Sequence, residues 1–379
     1  VLQESVASAR VIKSFVREDY EVDRFDVENR ANFRANMKNA QLMATLTPVV
    51  ELVAAIGVTM IIWYGGNNVI NGTITAGSLV AFLTYAVNIS NPIKRLTRVI
   101  GNIQKALAAA QRVFMIIDMP EEIAESRDAK QLPEVSGKVE FQNVSFAYDD
   151  KGNVITDLSF SVKPGEVIAI VGPSGAGKST IANLLPRFYD VNKGDIKIDG
   201  HSVREVTLDS LREQVGIVPQ ETMLFNGSVY NNILYGRLDA TKEEIEAAAK
   251  AANAHDFIMK MEKGYDTELK EHGAGLSIGQ RQLIAFARTM VSMPKILILD
   301  EATSSIDTHT EILVQRGIEA LLAGRTSFVI AHRLSTIQNA DRIFVIDKGG
   351  ILEQGSPAEL MEKKGAYYKL YMAQFAELG

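Results

Sequence analysis

The sequence has no cysteine and no excess of basic charge. Without cysteine the chain can form no disulfide, no thiolate zinc site and no iron–sulfur cluster. Its 40 Lys and Arg residues are outnumbered by 46 Asp and Glu residues, so the formal net charge is −6. No overall basic field would attract nucleic acid, and we expect no nucleic-acid partner. Aromatic residues make up only 7% of the chain, but 46% of it is hydrophobic, which is typical of a folded protein.

Charged residues almost disappear between Leu42 and Tyr64, where only Glu51 interrupts an apolar run. At ~1.5 Å per residue this run would extend about 34 Å, enough to cross a bilayer. A second, weaker apolar segment follows, and we predict two membrane helices at about residues 40–64 and 76–98. Glu51 is costly in lipid and is expected to face a helix bundle, where it lines a substrate path or pairs with a polar group.

Basic residues flank this pair of segments, while the loop between the two has no Lys or Arg. The flanking residues are Arg30, Arg34, Lys38, Lys94, Arg95, Arg98 and Lys105. The positive-inside rule therefore places both flanks in the cytoplasm. Apolar residues at helical spacing continue beyond both segments, so we expect long helices that extend into the cytoplasm. The chain starts at Val1 without a signal-peptide pattern, and we expect it to be part of a longer protein.

A glycine-rich loop, GPSGAGKST, follows the apolar segment EVIAIV and precedes the helical pattern IANLLPRFY. This is the P-loop arrangement, in which backbone N–H groups bind phosphates, the lysine reaches the β- and γ-phosphates, and the following hydroxyl ligates Mg²⁺. The loop therefore predicts ATP and Mg²⁺ as cofactors. Its predicted binding residues are Gly172, Pro173, Ser174, Gly175, Ala176, Gly177, Lys178, Ser179 and Thr180.

Two further apolar strands end in polar residues. KILILDEA ends at Asp300, a predicted ligand in the Mg²⁺ shell, and Glu301, a predicted general base for hydrolysis. An acidic pair at a strand end is otherwise a cap or turn, but a P-loop in the same chain favours catalysis. TSFVIAH ends at His332, for which we predict a γ-phosphate contact. Gln220, after the strand GIVP, is predicted at the same sheet edge as a catalytic, nucleotide-binding and metal-binding residue.

The segment LSIGQRQ has no metal ligand, nucleophile or charge run. Ser277 precedes the apolar stretch IAFARTMV and is predicted near the N-cap of a helix, where free N–H groups attract an anion.

In these motifs together, the chain resembles the C-terminal part of an ABC exporter of the multidrug and lipid type. LSIGQ resembles the ABC signature LSGGQ, and Tyr148 in FAYDD resembles the aromatic residue that stacks on adenine. Gln220 and His332 resemble the Q-loop and switch residues. Residues 304–307 resemble the D-loop, and Glu271, followed by His272 where an arginine is usual, resembles the X-loop acid.

The resemblance implies an α-helical transmembrane segment with long helices extending into the cytoplasm, then an α/β P-loop ABC nucleotide-binding domain with antiparallel β and helical subdomains. Residues 1–120 would form part of a transmembrane domain, residues 121–137 a linker, and residues 138–379 the ATP-binding domain. Exporter halves carry six membrane helices, of which the last two would be present. The protein would be an integral protein of the plasma (inner) membrane, with its nucleotide-binding domain in the cytoplasm.

The resemblance further implies that ATP binds between one chain's P-loop and the signature of a second ABC half-transporter. The residues that would act on the partner's ATP are Ser277, Gly279, Gln280 and Asp307. Ile278 replaces the first glycine of LSGGQ, at the third signature position, which favours a heterodimer over a homodimer. The implied activity is ATP-driven outward transport of a hydrophobic or amphipathic substrate, namely a drug, lipid or peptide.

Two other functions use the same motifs. One is an ATP-gated channel or regulatory subunit on this scaffold, against which the intact Glu301 and His332 favour turnover. The other is a soluble ABC ATPase of DNA repair or translation, which the apolar segments and the balanced charge argue against.

Overall fold

The computed structural model describes residues 2–119, 123–149, 152–220, 222–270, 273–300, 308–331 and 337–375. The chain divides into two units, residues 1–120 and 121–379. The first unit is entirely helical in its described residues, whereas the second combines sheets and helices.

The first unit consists mainly of two very long helices. Its elements are α1 (Leu2–Ala7), α2 (Ala9–Ser14), α3 (Glu18–Ile70) and α4 (Ala76–Ile117). At ~1.5 Å per residue, α3 and α4 extend about 80 Å and 63 Å. Both therefore continue well beyond their apolar segments, as the sequence predicts. Between α2 and α3, Val16 adopts a left-handed φ of 51°.

A short turn joins α3 to α4 as a helical hairpin. The Thr75 side chain accepts a hydrogen bond from Ser78 N at 3.2 Å and so caps the start of α4. Gly65 is buried on α3, where an added Cβ would lie 2.5 Å from Leu79 Cδ1. The absence of a side chain thus allows the two helices to approach closely.

The apolar segments of these helices overlap the predicted membrane spans. Within the described helices, Pro48–Ile70 alone is long and apolar enough to cross a membrane, and Ala76–Asn88 is a shorter apolar stretch. The first segment overlaps the apolar run Leu42–Tyr64, and α3 continues without a break through its glycines and asparagines to Ile70. In α4, the shorter apolar stretch lies within the predicted span 76–98.

The second unit contains an antiparallel sheet and a larger, mostly parallel sheet. The antiparallel sheet has the order β2-β1-β4-β5, with β1 (Val139–Phe146), β2 (Ile155–Val162), β4 (Lys193–Ile198) and β5 (His201–Ser202). The larger sheet has the order β12-β11-β3-β10-β9-β6, with β3 (Val167–Val171), β6 (Val215–Val218), β9 (Ile296–Asp300), β10 (Thr326–Ile330), β11 (Arg342–Asp347) and β12 (Gly350–Gly355). All its pairs are parallel except the β11–β12 hairpin.

Helices cover the larger sheet, whose apolar β-branched strands are buried on both faces. They are α5 (Lys178–Leu184), α6 (Leu208–Gln214), α7 (Val229–Leu234), α8 (Lys242–Ala251), α9 (His255–Met259), α10 (Ile278–Ser292), α11 (Thr308–Leu322), α12 (Pro357–Lys363) and α13 (Ala366–Phe375). A 3₁₀ turn (Gly264–Asp266) and a small two-stranded sheet of β7 (Gly227–Ser228) and β8 (Glu268–Leu269) complete the unit. α5 is shorter than the predicted pattern because Pro186 follows closely.

Two hydrophobic cores lie on opposite faces of the larger sheet. One contains α5 and the antiparallel sheet, including Phe141 stacked on Phe160 at 4.4 Å. The other contains α7, α8, α10 and α11, together with Tyr367 of α13. The helix that carries the P-loop and the helix at the C-terminus thus belong to different faces.

The segment predicted as a linker packs against the second unit. Leu132 is buried and donates its N–H to Ser210 Oγ at 2.9 Å. The Asp199 carboxylate accepts hydrogen bonds from Ser136 Oγ at 2.9 Å and Lys138 N at 2.8 Å. Residues 123–137 are therefore attached to this unit along their length.

Candidate functional site: a phosphate-binding cleft

The glycine-rich loop connects the end of β3 to α5, and two of its positions can be occupied only by glycine. A Cβ at Gly172 would collide with the carbonyl oxygen of Ile346. Gly177 has φ 101° at the N-cap of α5, and an added Cβ would lie 2.8 Å from Ile155 Cδ1. Strand, loop and helix therefore follow in the order that the P-loop motif predicts.

Lys178 is folded back over this loop. Its Nζ donates to the carbonyl oxygens of Gly172 and Pro173, both at 2.9 Å. Burial lowers the pKa of Lys178 from its ordinary value of 10.5, and the nearby Asp300 carboxylate opposes this shift. Phosphate oxygens would be stronger acceptors than carbonyls because they carry negative charge.

Ser179, Gln220 and Asp300 meet at the carboxyl edge of the larger sheet. Asp300 is the last residue of β9, and Gln220 follows β6, which pairs with β9. Ser179 Oγ lies 3.5 Å from Asp300 Oδ2, at the limit of a hydrogen bond. Hydroxyl, amide and carboxylate oxygens are hard donors of the kind Mg²⁺ prefers, and Mg²⁺ usually takes few protein ligands beside water and phosphate. These residues therefore fit Mg²⁺.

A cleft of about 630 Å³ unites these groups. All predicted loop residues line it except Ala176, which is buried in the core of the antiparallel-sheet face. Val154, Ile330, Leu370 and Ala373 complete the lining, and sequence reasoning missed all four. They are apolar residues without a motif, so no signal in the sequence marks them.

Tyr148 lies beside the phosphate loop, on the side of the antiparallel sheet. Its ring is half exposed and packs edge-on against Phe146 at 4.8 Å and Tyr189 at 4.9 Å. Its hydroxyl is 3.2 Å from Thr180 Oγ1. The exposed part of a ring held in this way can serve as a stacking surface.

Ser277 is the N-cap of α10, as predicted. Its side chain accepts a hydrogen bond from Gln280 N at 3.2 Å, and its own N–H donates to Gln280 Oε1 at 3.0 Å. Ile278 is the first residue of α10, and 41% of its surface is exposed. Gly279, the next residue, is buried. Among the described residues, none of this segment lines the chain's own phosphate cleft.

Several predicted residues lie outside the part of the chain that the structure describes. They are Glu271, His272, Glu301, residues 304–307 with Asp307, and His332. Asp300 and Ala331 are the described neighbours of Glu301 and His332.

Comparison with protein families gives two matches, one in each unit of the chain. Residues 155–304 match the ABC transporter model, and residues 1–93 match the ABC transporter transmembrane region. The first match contains the P-loop, Gln220, the signature and Asp300. The second contains α3 and the apolar part of α4.

Similar proteins cover the whole chain. An ATP-dependent lipid A-core flippase from Syntrophus aciditrophicus is 48% identical over 100% of this chain and 63% of its own length. A fatty acid ABC transporter ATP-binding/permease protein from Mycobacterium bovis is 41% identical over 98% of this chain and 59% of its own length. The solved structure of a bacterial Atm1-family ABC exporter with ATP bound has a TM-score of 0.85 and 40% identity, covering 100% of this chain and 66% of that one.

The chain spans somewhat less than two thirds of the length of these relatives. The first unit contains the match to the transmembrane region, and the second unit contains the match to the ABC transporter model. The chain therefore belongs to the ABC transporter family, and it joins a helical transmembrane region to an α/β nucleotide-binding domain.

Proposed function

We propose that the protein is the ATP-hydrolysing subunit of an exporter that moves a lipid or similar amphipathic substrate outward across the membrane. The observation that carries this proposal is the single cleft that unites the P-loop with Ser179, Gln220 and Asp300. Such a cleft has the backbone donors, the cation and the oxygen ligands that binding of a nucleoside triphosphate requires.

The residues of the cleft would have distinct roles. Lys178 would exchange its two carbonyl acceptors for phosphate oxygens, and the loop N–H groups would bind the remaining phosphate charge. Bound Mg²⁺, held by Ser179, Asp300 and Gln220, would supply charge stabilisation at the phosphates. Glu301, directly after Asp300, would accept the proton of the attacking water, and His332, which follows β10, would contact the γ-phosphate.

A second half-transporter would complete each site. Ser277, Gly279 and Gln280 lie at the start of α10, away from the chain's own cleft, with Ser277 and Ile278 exposed. The first turn of α10 offers backbone N–H groups and a positive helix dipole to an anion held by a partner. Asp307 would reach the same partner site. Ile278 in this position favours a partner of different sequence.

The lipid substrate rests on the relatives and on the helices of the first unit. One relative is a lipid A-core flippase and another a fatty acid transporter, so both act on molecules with acyl chains. Lysine and arginine flank the apolar segments of α3 and α4 but are absent from their connecting turn. This distribution supports an inner-membrane protein with its nucleotide-binding domain in the cytoplasm.

The test is ATP-dependent transbilayer movement of a fluorescent lipid in proteoliposomes that contain the full-length protein. Lys178→Ala should lose most ATP binding and all lipid movement, because it removes a charge-assisted phosphate contact. Lys163→Ala, in the exposed turn before β3, is the matched control and should behave as wild type. Near-normal lipid movement in Lys178→Ala would contradict the nucleotide site. Wild-type protein that hydrolyses ATP without moving any lipid would contradict the substrate class.

A further inference from the structure

The C-terminal helix α13 has a defined position because both its start and its inner face are anchored. The Glu353 carboxylate on β12 accepts hydrogen bonds from Ala366 N at 2.7 Å and Tyr367 N at 3.0 Å, two N–H groups of the first helical turn. Tyr367 is only 2% exposed, and Leu370 and Tyr371 pack against the same core as α10 and α11. α13 is thus fixed against one face of the larger sheet.

One flank of this helix reaches the phosphate cleft. Leu370 and Ala373 are three residues apart, so they share a side of the helix, and both line the cleft. Met372 is 44% exposed and does not line it. Since successive helical residues are turned by about 100°, Met372 projects in a different direction from Ala373.

The side from which α13 approaches determines which part of a nucleotide it would meet. Tyr148 lies two residues after β1 of the antiparallel sheet, which packs on the same face of the larger sheet as α5. α13 packs on the opposite face. The phosphates of a nucleotide whose base lies at Tyr148 would follow the P-loop away from that ring. Ile330, the last residue of β10 and two positions before His332, lines the cleft together with Leu370 and Ala373. Because His332 is the predicted γ-phosphate contact, we place the γ-phosphate on the side of the cleft that α13 reaches.

We propose that Leu370 and Ala373 form an apolar wall at the γ-phosphate side of the cleft and thereby determine how well the site distinguishes ATP from ADP. The inference rests on the proposed function, because it assumes that the cleft binds a nucleotide. The wall narrows the cleft where the γ-phosphate ends and leaves the part that holds the base and the first two phosphates unchanged.

The experiment measures binding of AMP-PNP and of ADP, each with Mg²⁺, to the detergent-solubilised full-length protein by calorimetry. Ala373→Phe places a ring in the cleft, and overpacking of this kind should weaken AMP-PNP binding about tenfold while ADP affinity changes less than about twofold. Met372→Phe, one residue earlier on the same helix, is the control and should leave both affinities unchanged. Ala373→Leu should give a smaller effect in the same direction. It replaces Ala373→Phe in the experiment if that variant does not fold.

Three results would overturn the inference. Wild-type affinities for both nucleotides in Ala373→Phe and Ala373→Leu would show that the wall does not meet the γ-phosphate. Equal losses for AMP-PNP and ADP would show a general distortion of the cleft. Wild-type protein that binds neither nucleotide would overturn the proposed function as well, which distinguishes that failure from the first two.

Discussion

Lys178 is the residue at which burial and charge compete most directly. Burial disfavours its ammonium and lowers its pKa, while Asp300 favours the charged form. Because the pKa is lower in the folded protein, the charged form of Lys178 reduces the free energy of unfolding. This destabilisation decreases as the pH rises through the lowered pKa, since Lys178 then loses its proton in the folded protein. A bound phosphate would offset the same cost, so nucleotide binding and the charge of Lys178 should support each other.

Tyr148 is expected to contribute through its ring and not through its hydroxyl. Tyr148→Ala should raise the KM for ATP roughly fivefold or more, since base stacking is worth ~1–3 kcal/mol. GTP should be affected similarly, because the face of a ring does not read the base edge. Tyr148→Phe removes the 3.2 Å contact with Thr180 but keeps the ring, and it should resemble wild type. Steady-state ATPase and GTPase assays measure this, and an unchanged KM in Tyr148→Ala would remove the residue from the site.

At the scale of elements, capping side chains determine where the helices around the cleft begin. Ser277 and Gln280 form a reciprocal capping box at α10, and Glu353 binds the first turn of α13 from a neighbouring strand. The first cap is local in sequence. The second joins residues 13 and 14 positions apart.

The Glu353 cap predicts a pH-dependent α13. Hydrogen bonds from Tyr367 N and Ala366 N lower the pKa of Glu353 below its ordinary value of 4.5. Because the folded pKa is the lower one, the stabilisation is complete above about pH 4.5 and is lost as the pH falls through the lowered pKa. Glu353→Gln should therefore expose the α13 amides to faster exchange at pH 6, and the difference from wild type should shrink toward pH 3.

Hydrogen–deuterium exchange of residues 366–371, corrected for the intrinsic rate at each pH, measures this effect. Glu362→Gln on α12 is a suitable control, because its exposed carboxylate makes no hydrogen bond to a described residue. A pH-independent difference between wild type and Glu353→Gln would show that the charge of Glu353 does not hold the helix.

At the scale of the whole molecule, the signature lies outside the chain's own cleft, which supports the proposed partner. Ile278 is the exposed first residue of α10, and its branched side chain limits how closely the backbone can approach a phosphate. A dimer in which the other chain has glycine here would contain two unequal ATP sites. The site that uses this chain's P-loop and Glu301 would carry most turnover.

Mixed dimers with one P-loop lysine removed at a time test this asymmetry. Removing Lys178 from this chain should abolish more ATPase activity than removing the partner's lysine. Ile278→Gly should raise hydrolysis at the partner's P-loop, because glycine leaves the backbone free to approach the γ-phosphate. Equal effects of the two lysine substitutions, or no change in Ile278→Gly, would show that the two sites are equivalent.

Local sequence determined the parts of this protein in which neighbouring residues interact. The P-loop between β3 and α5, the Ser277 cap and the strands that end at Asp300 and Ile330 all follow from spacing and residue type, because a loop, a cap or a strand depends on contacts within a few positions. The same holds for the long helices α3 and α4, whose apolar segments overlap the spans that hydropathy predicted.

Tertiary structure alone decided which distant residues share the cleft. Ser179 and Asp300 are 121 positions apart and meet because β3 and β9 lie on either side of β10 in a parallel sheet. Leu370 and Ala373 reach the cleft because Glu353 and the buried Tyr367 direct α13 toward it. An apolar residue carries no sign of which core or cleft it will line, since apolar burial is non-directional and every such contact depends on the packing of the whole domain.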